Sequence, residues 1–385
     1  MKLLILYDIS HQAVLMRSLC KHVNEAGISA DLIDVSSLDF YSPSGRKAPR
    51  LLRLYQTLSE NTPLRHFHRD RILLWVLGRM AEYYDALDFQ GLYSPLFYAL
   101  VKRLKRNTTK VMKAQFWGSD LNLSQDYDLR WKREMLSNMR VIQVATPEMK
   151  ERVAEKFPEY SDITVVCPFG NQHLDDLRQL MANPSLQDRS FTKMNLQGKI
   201  VVCCGYNGKR FQQHLEMIHA LKALPEDVQR RLAVVFPMTY ELNDDYLNDV
   251  MRELDEVKFD YDIIIDRMTE RQVLTLRMLT DLVVNIQVID ALAASLQEHI
   301  FCGGVLLAGD WLPYSLFTAN GIYYIKTSME DLSDKLRFAI EHLNELKDKC
   351  ATNGKKLYEL TSWKTVIPSW TVVYGLLEKK NHHRS

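Results

Sequence analysis

One pattern limits this chain more than any other. Short continuous apolar runs alternate with amphipathic helical stretches, and the alternation passes through the chain twice. In the first half "KLLILYD" (2–8), "SADLIDV" (29–35), "ALDFQGLY" (86–93), "KVMKAQFW" (110–117), "RVIQVAT" (140–146) and "ITVVCPFG" (163–170) have strand composition. "HQAVLMRSLCKHVNEAG" (11–27), stopped by Gly27, "SPLFYALVKRLKR" (94–106) and "TPEMKERVAEKF" (146–157) carry helical spacing. Strand, helix, strand in this order specifies a parallel sheet covered by helices.

The grammar pauses over 167–199, a polar stretch with Pro184 and several turn formers, which reads as a linker. It restarts with strands at "KIVVCCGYNG" (199–208), "RLAVVFPM" (231–238), "YDIIID" (261–266), "DLVVNIQ" (281–287), "GGVLLAG" (303–309) and "GIYYIK" (321–326). The expectation is an α/β protein of two doubly wound, Rossmann-like domains, 1–180 and 190–365. An amphipathic helix in 366–385 would follow the second. Ligands of such sheets bind at the carboxyl ends of strands, so a central cleft between the domains is the expected site.

Bulk numbers exclude several classes. The formal net charge is +1 over 385 residues, so charge predicts no nucleic-acid partner. Six cysteines, none in a C-x-x-C pair, read as buried thiols of a reducing compartment; Cys203–Cys204 reads as two core residues of one strand. The apolar start "MKLLILYDIS" is too short for a signal peptide, and no apolar run reaches the ~18 residues of a membrane span. These features predict a soluble cytoplasmic protein, or one peripheral at the inner face of the cell membrane.

Chemistry concentrates in loops after strands. In "GYNGKRFQQH" (205–214), Gly205 and Gly208 allow close backbone approach, Asn207 lies between them, and Lys209 and Arg210 can neutralise phosphate. The same residues also make a plain strand–turn–helix with two solvated cations. "PMTYELNDDY" (237–246) places Thr239 and Tyr240 after a strand, and Thr269 reads as a helix N-cap. In "DALAASLQEHIFCGG" (290–304), Asp290 and Glu298 flank a helix start near Ala294. The amides of Ser295 and Leu296 would offer N–H groups to an anion there, and Glu298 two acceptors to a vicinal diol. Asp290 as cap and Glu298 as a solvated face residue is the plainer alternative. In "FWGSDL" (116–121), Trp117, Gly118, Ser119 and Asp120 suit sugar stacking beside a carboxylate, or a turn that Asp120 caps.

Taken in order, these loops resemble those of GT-B glycosyltransferases of the retaining family-4 kind, and are similar to bacterial 4-acetamido-4,6-dideoxygalactose transferases of surface-polysaccharide assembly. Asp290-x7-Glu298 followed by "HIFCGGVLLAGDW" stands where that family has Glu-x7-Glu, with Asp one methylene shorter. The resemblance implies a GT-B fold whose last helix crosses back to the first domain, an acceptor-side first domain and a donor-binding second. It implies that Glu298 holds the donor ribose and Asp290 contacts the donor sugar. Gly205, Asn207, Gly208, Thr239, Tyr240, Ser295 and Leu296 would complete the donor site. Lys209 and Arg210 would balance the diphosphate, and Asp120 with Trp117, Gly118 and Ser119 would face the sugar or acceptor.

The implied activity is transfer of a sugar from a nucleotide-diphosphate donor to a glycan or lipid-linked glycan, with retention and with neither metal nor other cofactor. Two alternatives remain at this level: a sugar-nucleotide epimerase using Asp120, His11 or the His66/His68 region, and a non-catalytic partner protein of the same fold. The basic segment 45–80, with Arg46, Lys47, Arg50, Arg53, Arg65, Arg69 and Arg71 among apolar residues, admits an anionic membrane surface as a further partner, or a solvated face over a core helix.

Overall fold

The computed structural model describes residues 1–8, 13–61, 69–105 and 110–378. The candidate residues His11, Arg65, His66 and His68 lie outside them. The chain divides into two compact units, Met1–Gly170 with Trp363–Ser385, and Asn171–Ser362.

The first unit holds a seven-stranded sheet in the order β3-β2-β1-β4-β5-β6-β7. The strands are β1 (Lys2–Tyr7), β2 (Ser29–Asp34), β3 (Phe40–Tyr41), β4 (Ala86–Gln90), β5 (Val111–Gln115), β6 (Val141–Val144) and β7 (Thr164–Val166). All pairings are parallel except β2–β3. That two-residue edge strand is too short to leave a sequence signal. The helix Trp363–Glu378 belongs to this unit and buries Trp363, Trp370 and Tyr374 with β1 residues Leu3, Ile5 and Tyr7.

The second unit holds six parallel strands in the order β10-β9-β8-β11-β12-β13. They are β8 (Ile200–Cys204), β9 (Leu232–Pro237), β10 (Asp260–Ile264), β11 (Leu282–Asn285), β12 (Val305–Gly309) and β13 (Ile325–Thr327). The order reverses at β8/β11, so two adjacent strands send their following helices to opposite faces and leave a crevice at their carboxyl ends. β8, β9, β11 and β12 are buried almost throughout, which accounts for their unbroken apolar runs in sequence.

Inside the stretch read as a linker stands a ten-residue helix, His173–Ala182. Its Leu174, Leu177 and Leu180 are buried, and it packs on the helices Glu270–Leu279 and Ala294–Phe301. Three leucines at three-residue intervals form one narrow stripe, and the polar residues between them hid it.

Candidate functional site

The loops after β8 and β9 are tied together. Gly205 has φ 68°, a conformation open to glycine at no steric cost. Asn207 Oδ1 accepts the Lys209 amide at 2.9 Å, closing a side-chain turn. Gly208 donates its N–H to Tyr240 O at 2.9 Å. A Cβ on Gly208 would lie 2.5 Å from Leu242 Cβ and 2.7 Å from its Cα, so only glycine allows this approach. Thr239 is half-buried and Tyr240 exposed beside this crossing.

The two expected phosphate cations are both paired. Lys209 Nζ lies 2.8 Å from Glu241 Oε1. Arg210 meets Asp249 Oδ2 at 2.5 Å, with its guanidinium 4.7 Å from the Tyr246 ring. Arg210 is therefore directed at the helix Asp244–Glu253, capped by Asn243. Lys209, paired with an acid on a loop rather than on a helix, is the more easily redirected of the two.

Asp290 is buried, and its oxygens are engaged within the protein. Oδ2 accepts from Tyr314 Oη at 2.5 Å and from the Ala293 amide at 3.2 Å; Tyr206 Oη lies 3.5 Å from Oδ1. Tyr206 Oη also donates to Gln287 Oε1 at 3.1 Å, and Gln212 Nε2 reaches the same oxygen at 2.8 Å. Burial pushes the Asp290 carboxyl above its usual range, against the pull of Tyr314 and the nearby amides. This acid braces the loop before the helix Ala294–Phe301, in which Leu292 holds φ 66°.

Glu298 lies within that helix as the centre of a charge cluster. Oε1 is 2.9 Å from His173 Nδ1, and Oε2 is 3.1 Å from Arg277 Nε. Arg277, itself buried, donates from Nη1 to His299 Nε2 at 3.1 Å. Burial opposes the Glu298 charge, but His173 and Arg277 outweigh it and hold the carboxyl below its usual range. Burial likewise opposes charge on His173, and Glu298 with Glu270 overcomes it, raising the imidazole to about 9. His299 is pushed well down by burial and by Arg277, so it is neutral and able to accept. A carboxylate offers about four lone-pair sites, and Glu298 uses two on these partners.

At the start of the same helix, the Leu296 amide is already bonded to Ala293 O at 3.2 Å. Ser295 Oγ is buried with no hydrogen-bond partner. Asn285 Oδ1 and Gln287 Nε2, at the end of β11, are also buried without one. Buried polar atoms are rarely left unmatched, and three of them belong to the chain between the β11 terminus and this helix start.

In the first unit, Asp120 is buried in the short helix Ser119–Asn122. Oδ1 accepts from the Trp117 and Gly118 amides at 2.8 and 2.9 Å, and Oδ2 from the Leu92 amide at 2.7 Å. Burial raises its carboxyl against these bonds and Lys132. It staples the loop after β4 to the loop after β5; it is not the helix cap, since Gly118 holds the N-cap position and no side chain caps that end. Gly118 has φ 125°. Ser119 Oγ is 2.9 Å from Tyr93 Oη. Trp117 is half-buried, its ring edge-on to Phe169 at 5.4 Å.

Among the described residues, no three or more His, Cys, Asp or Glu side chains are grouped to hold a metal, and no helix is long and apolar enough to cross a membrane. The six cysteines are free thiols, and burial raises Cys20 and Cys167 to about 12 and Cys203 to about 11.

Sequence reading missed His173, inside the supposed linker, and Arg277, on a helix read as merely amphipathic. A charge on the apolar stripe of "TERQVLTLRML" was the available signal for Arg277, since an unpaired buried guanidinium is untenable. The Thr269 cap stands as read, completed by Gln272 as a capping box.

No known family's profile matches the sequence, and no curated protein matches it. Solved structures do. Anabaena HepE, crystallised with UDP-glucose, is 12% identical with a TM-score of 0.71, covering 97% of this chain and 99% of that one. Sucrose-phosphate synthase from Thermosynechococcus elongatus is 12% identical with a TM-score of 0.71, over 98% and 99%. A UDP-forming trehalose-phosphate synthase from Burkholderia xenovorans is 12% identical with a TM-score of 0.67, over 99% and 100%. The two parallel-sheet units thus have the GT-B glycosyltransferase fold. Similarity to 4-acetamido-4,6-dideoxygalactose transferases in particular is not among these likenesses.

Proposed function

We propose that the protein is a glycosyltransferase that takes a sugar from a nucleoside-diphosphate donor bound by the second unit. The carrying observation is Glu298: a charged, buried acid with two lone-pair sites still open, beside unpartnered polar atoms at the reversal of strand order. The crystallised complexes of HepE with UDP and UDP-glucose support a donor of that class.

In this reading the ribose diol donates to Glu298, whose charge is maintained by Arg277 and His173. The diphosphate takes the first turn of the helix Ala294–Phe301, with Ser295 Oγ and its amide as donors. Lys209 leaves Glu241 for the phosphate. Breaking the anomeric C–O bond moves negative charge onto the diphosphate, so donors fixed there favour the transition state over the ground state. No metal is required for that stabilisation. Asp290 works through Tyr206 and the Ala293 amide, and Asp120 through the backbone that carries Trp117. The sugar is transferred with retention.

The proposed acceptor is a glycan, free or lipid-linked, at the inner face of the membrane. The helix Arg69–Ala81 supports the membrane part: Arg71, Ile72 and Trp75 are exposed on it, and Arg71 has no partner among the described residues. Flotation with anionic vesicles at low salt tests this part alone, and absence of binding removes it.

The donor reading is tested by melting curves against a panel of nucleoside-diphosphate sugars that includes UDP-glucose. One member raises the melting temperature, and Ser295→Ala reduces the shift. A flat panel overturns the reading.

A further inference from the structure

A row of buried polar side chains crosses the first unit's sheet. Asp88 on β4 is in register with Lys113 on β5, and Gln90 with Gln115. Asp88, Gln90 and Lys113 are fully buried. Lys113 Nζ donates to Asp88 Oδ1 at 2.8 Å. On Oδ2, Asp88 accepts from Tyr374 Oη and from Gln90 Nε2, each at 2.7 Å. Gln90 Oε1 in turn accepts the indole N–H of Trp117 at 3.2 Å.

The polarity of this chain is fixed. A carboxylate only accepts and an indole N–H only donates. Gln90 stands between them, so its amide has one tolerable orientation; the flipped amide would set oxygen against carboxylate and N–H against N–H. Asp88 itself is held by Lys113 and Tyr374, on two other elements of the unit. The orientation of Gln90 is therefore decided before Trp117 meets it.

We propose that Gln90 is a positioning residue for Trp117. Through Asp88 it sets the pose of the indole at the carboxyl end of β5, where the ring serves as the platform for an acceptor sugar. The platform role rests on the transferase reading above; the positioning does not. Phe169 meets the ring edge-on and limits its tilt; among the described residues the bond to Gln90 is what fixes the direction of the N–H.

Fluorine NMR of protein made with 5-fluorotryptophan tests it. The chain has six Trp, and Trp117→Phe identifies the resonance concerned. Gln90→Met keeps the side-chain length and removes both hydrogen bonds. The Trp117 resonance is expected to move or broaden, with Trp75 and Trp311 unchanged as a check on folding. Gln90→Glu is the rescue. Buried beside Asp88, its carboxyl is held protonated by burial and like charge, so it donates to Asp88 and accepts from the indole as Gln90 does. It is expected to return the resonance to its original place. A Trp117 signal unmoved in Gln90→Met overturns the proposal, and so does a Gln90→Glu signal that stays displaced, which would trace the effect to packing. In turnover assays with UDP-glucose as donor probe, Gln90→Met is expected to raise the acceptor KM severalfold while donor KM holds. An unchanged acceptor KM despite a displaced indole would overturn the platform role. If neither UDP-glucose nor any other donor of the panel is bound or turned over, the transferase reading is what has failed, and the NMR result still decides the positioning.

Discussion

His173 Nδ1 lies 2.9 Å from Glu298 Oε1 across 125 positions of sequence. The pair joins the helix that follows the first unit to the helix that follows β11, and both belong to the second unit. It makes stability depend on pH in a definite direction. The folded imidazole is raised to about 9, above the ~6.5 of an unfolded histidine. The folded state therefore holds the proton more tightly. The contribution is fully present below pH ~6.5 and is lost as pH rises through about 9. Glu298, held low, adds the opposite limb, losing its contribution as pH falls through its folded value. Urea midpoints between pH 6 and 10 should fall for the intact protein and fall less for His173→Gln.

Arg277 and Glu298 are expected to depend on each other. Glu298→Ala leaves a buried guanidinium without its carboxylate, and removal of one partner from such a pair destabilises by ~3–5 kcal/mol. The double variant Arg277→Met with Glu298→Leu should recover part of that loss, because no charge is then stranded. Neither form should show a melting shift with a nucleoside-diphosphate sugar. Denaturation midpoints and the ligand panel measure the two outcomes separately.

Asp120→Ala should loosen one place rather than the whole unit. The amides of Leu92, Trp117 and Gly118 lose their common acceptor, at ~1–3 kcal/mol for each donor that water does not reach. Hydrogen exchange should quicken at those three amides while β1 and β4 keep their protection. Fast exchange throughout the sheet would show Asp120 to be a general support of the unit.

Gly208→Ala is expected to push the loop after β8 away from Leu242, because the new Cβ meets main-chain atoms that cannot rotate aside. Overpacking of this kind destabilises by ~1–3 kcal/mol. In the transferase reading it also weakens donor binding, while Gly27→Ala, at an open helix stop, changes only stability. A donor-induced melting shift of normal size in Gly208→Ala would detach this loop from the site.

The strands were readable because parallel strands covered on both faces need unbroken apolar residues, and "KLLILY" or "IVVCC" can scarcely be anything else. β3 was not readable, since two residues carry no period. The helix His173–Ala182 hid behind the polar residues that separate its three buried leucines. At the site, Glu298 was visible as an acid in an apolar segment. Its partners were not, since His173 and Arg277 are neighbours only after two helices pack on a third.

The sequence alone determined two parallel-sheet units and the segments that form most of their strands, because alternation and apolar run length are local properties enforced by burial. Only the tertiary structure decided which charges meet. It committed Asp120 and Asp290 to holding loops, turned Arg210 toward Asp249, and set Glu298 between His173 and Arg277. Pairing is a matter of distance between elements far apart in the chain, and a low-dielectric interior makes those distances decide which groups keep their charge.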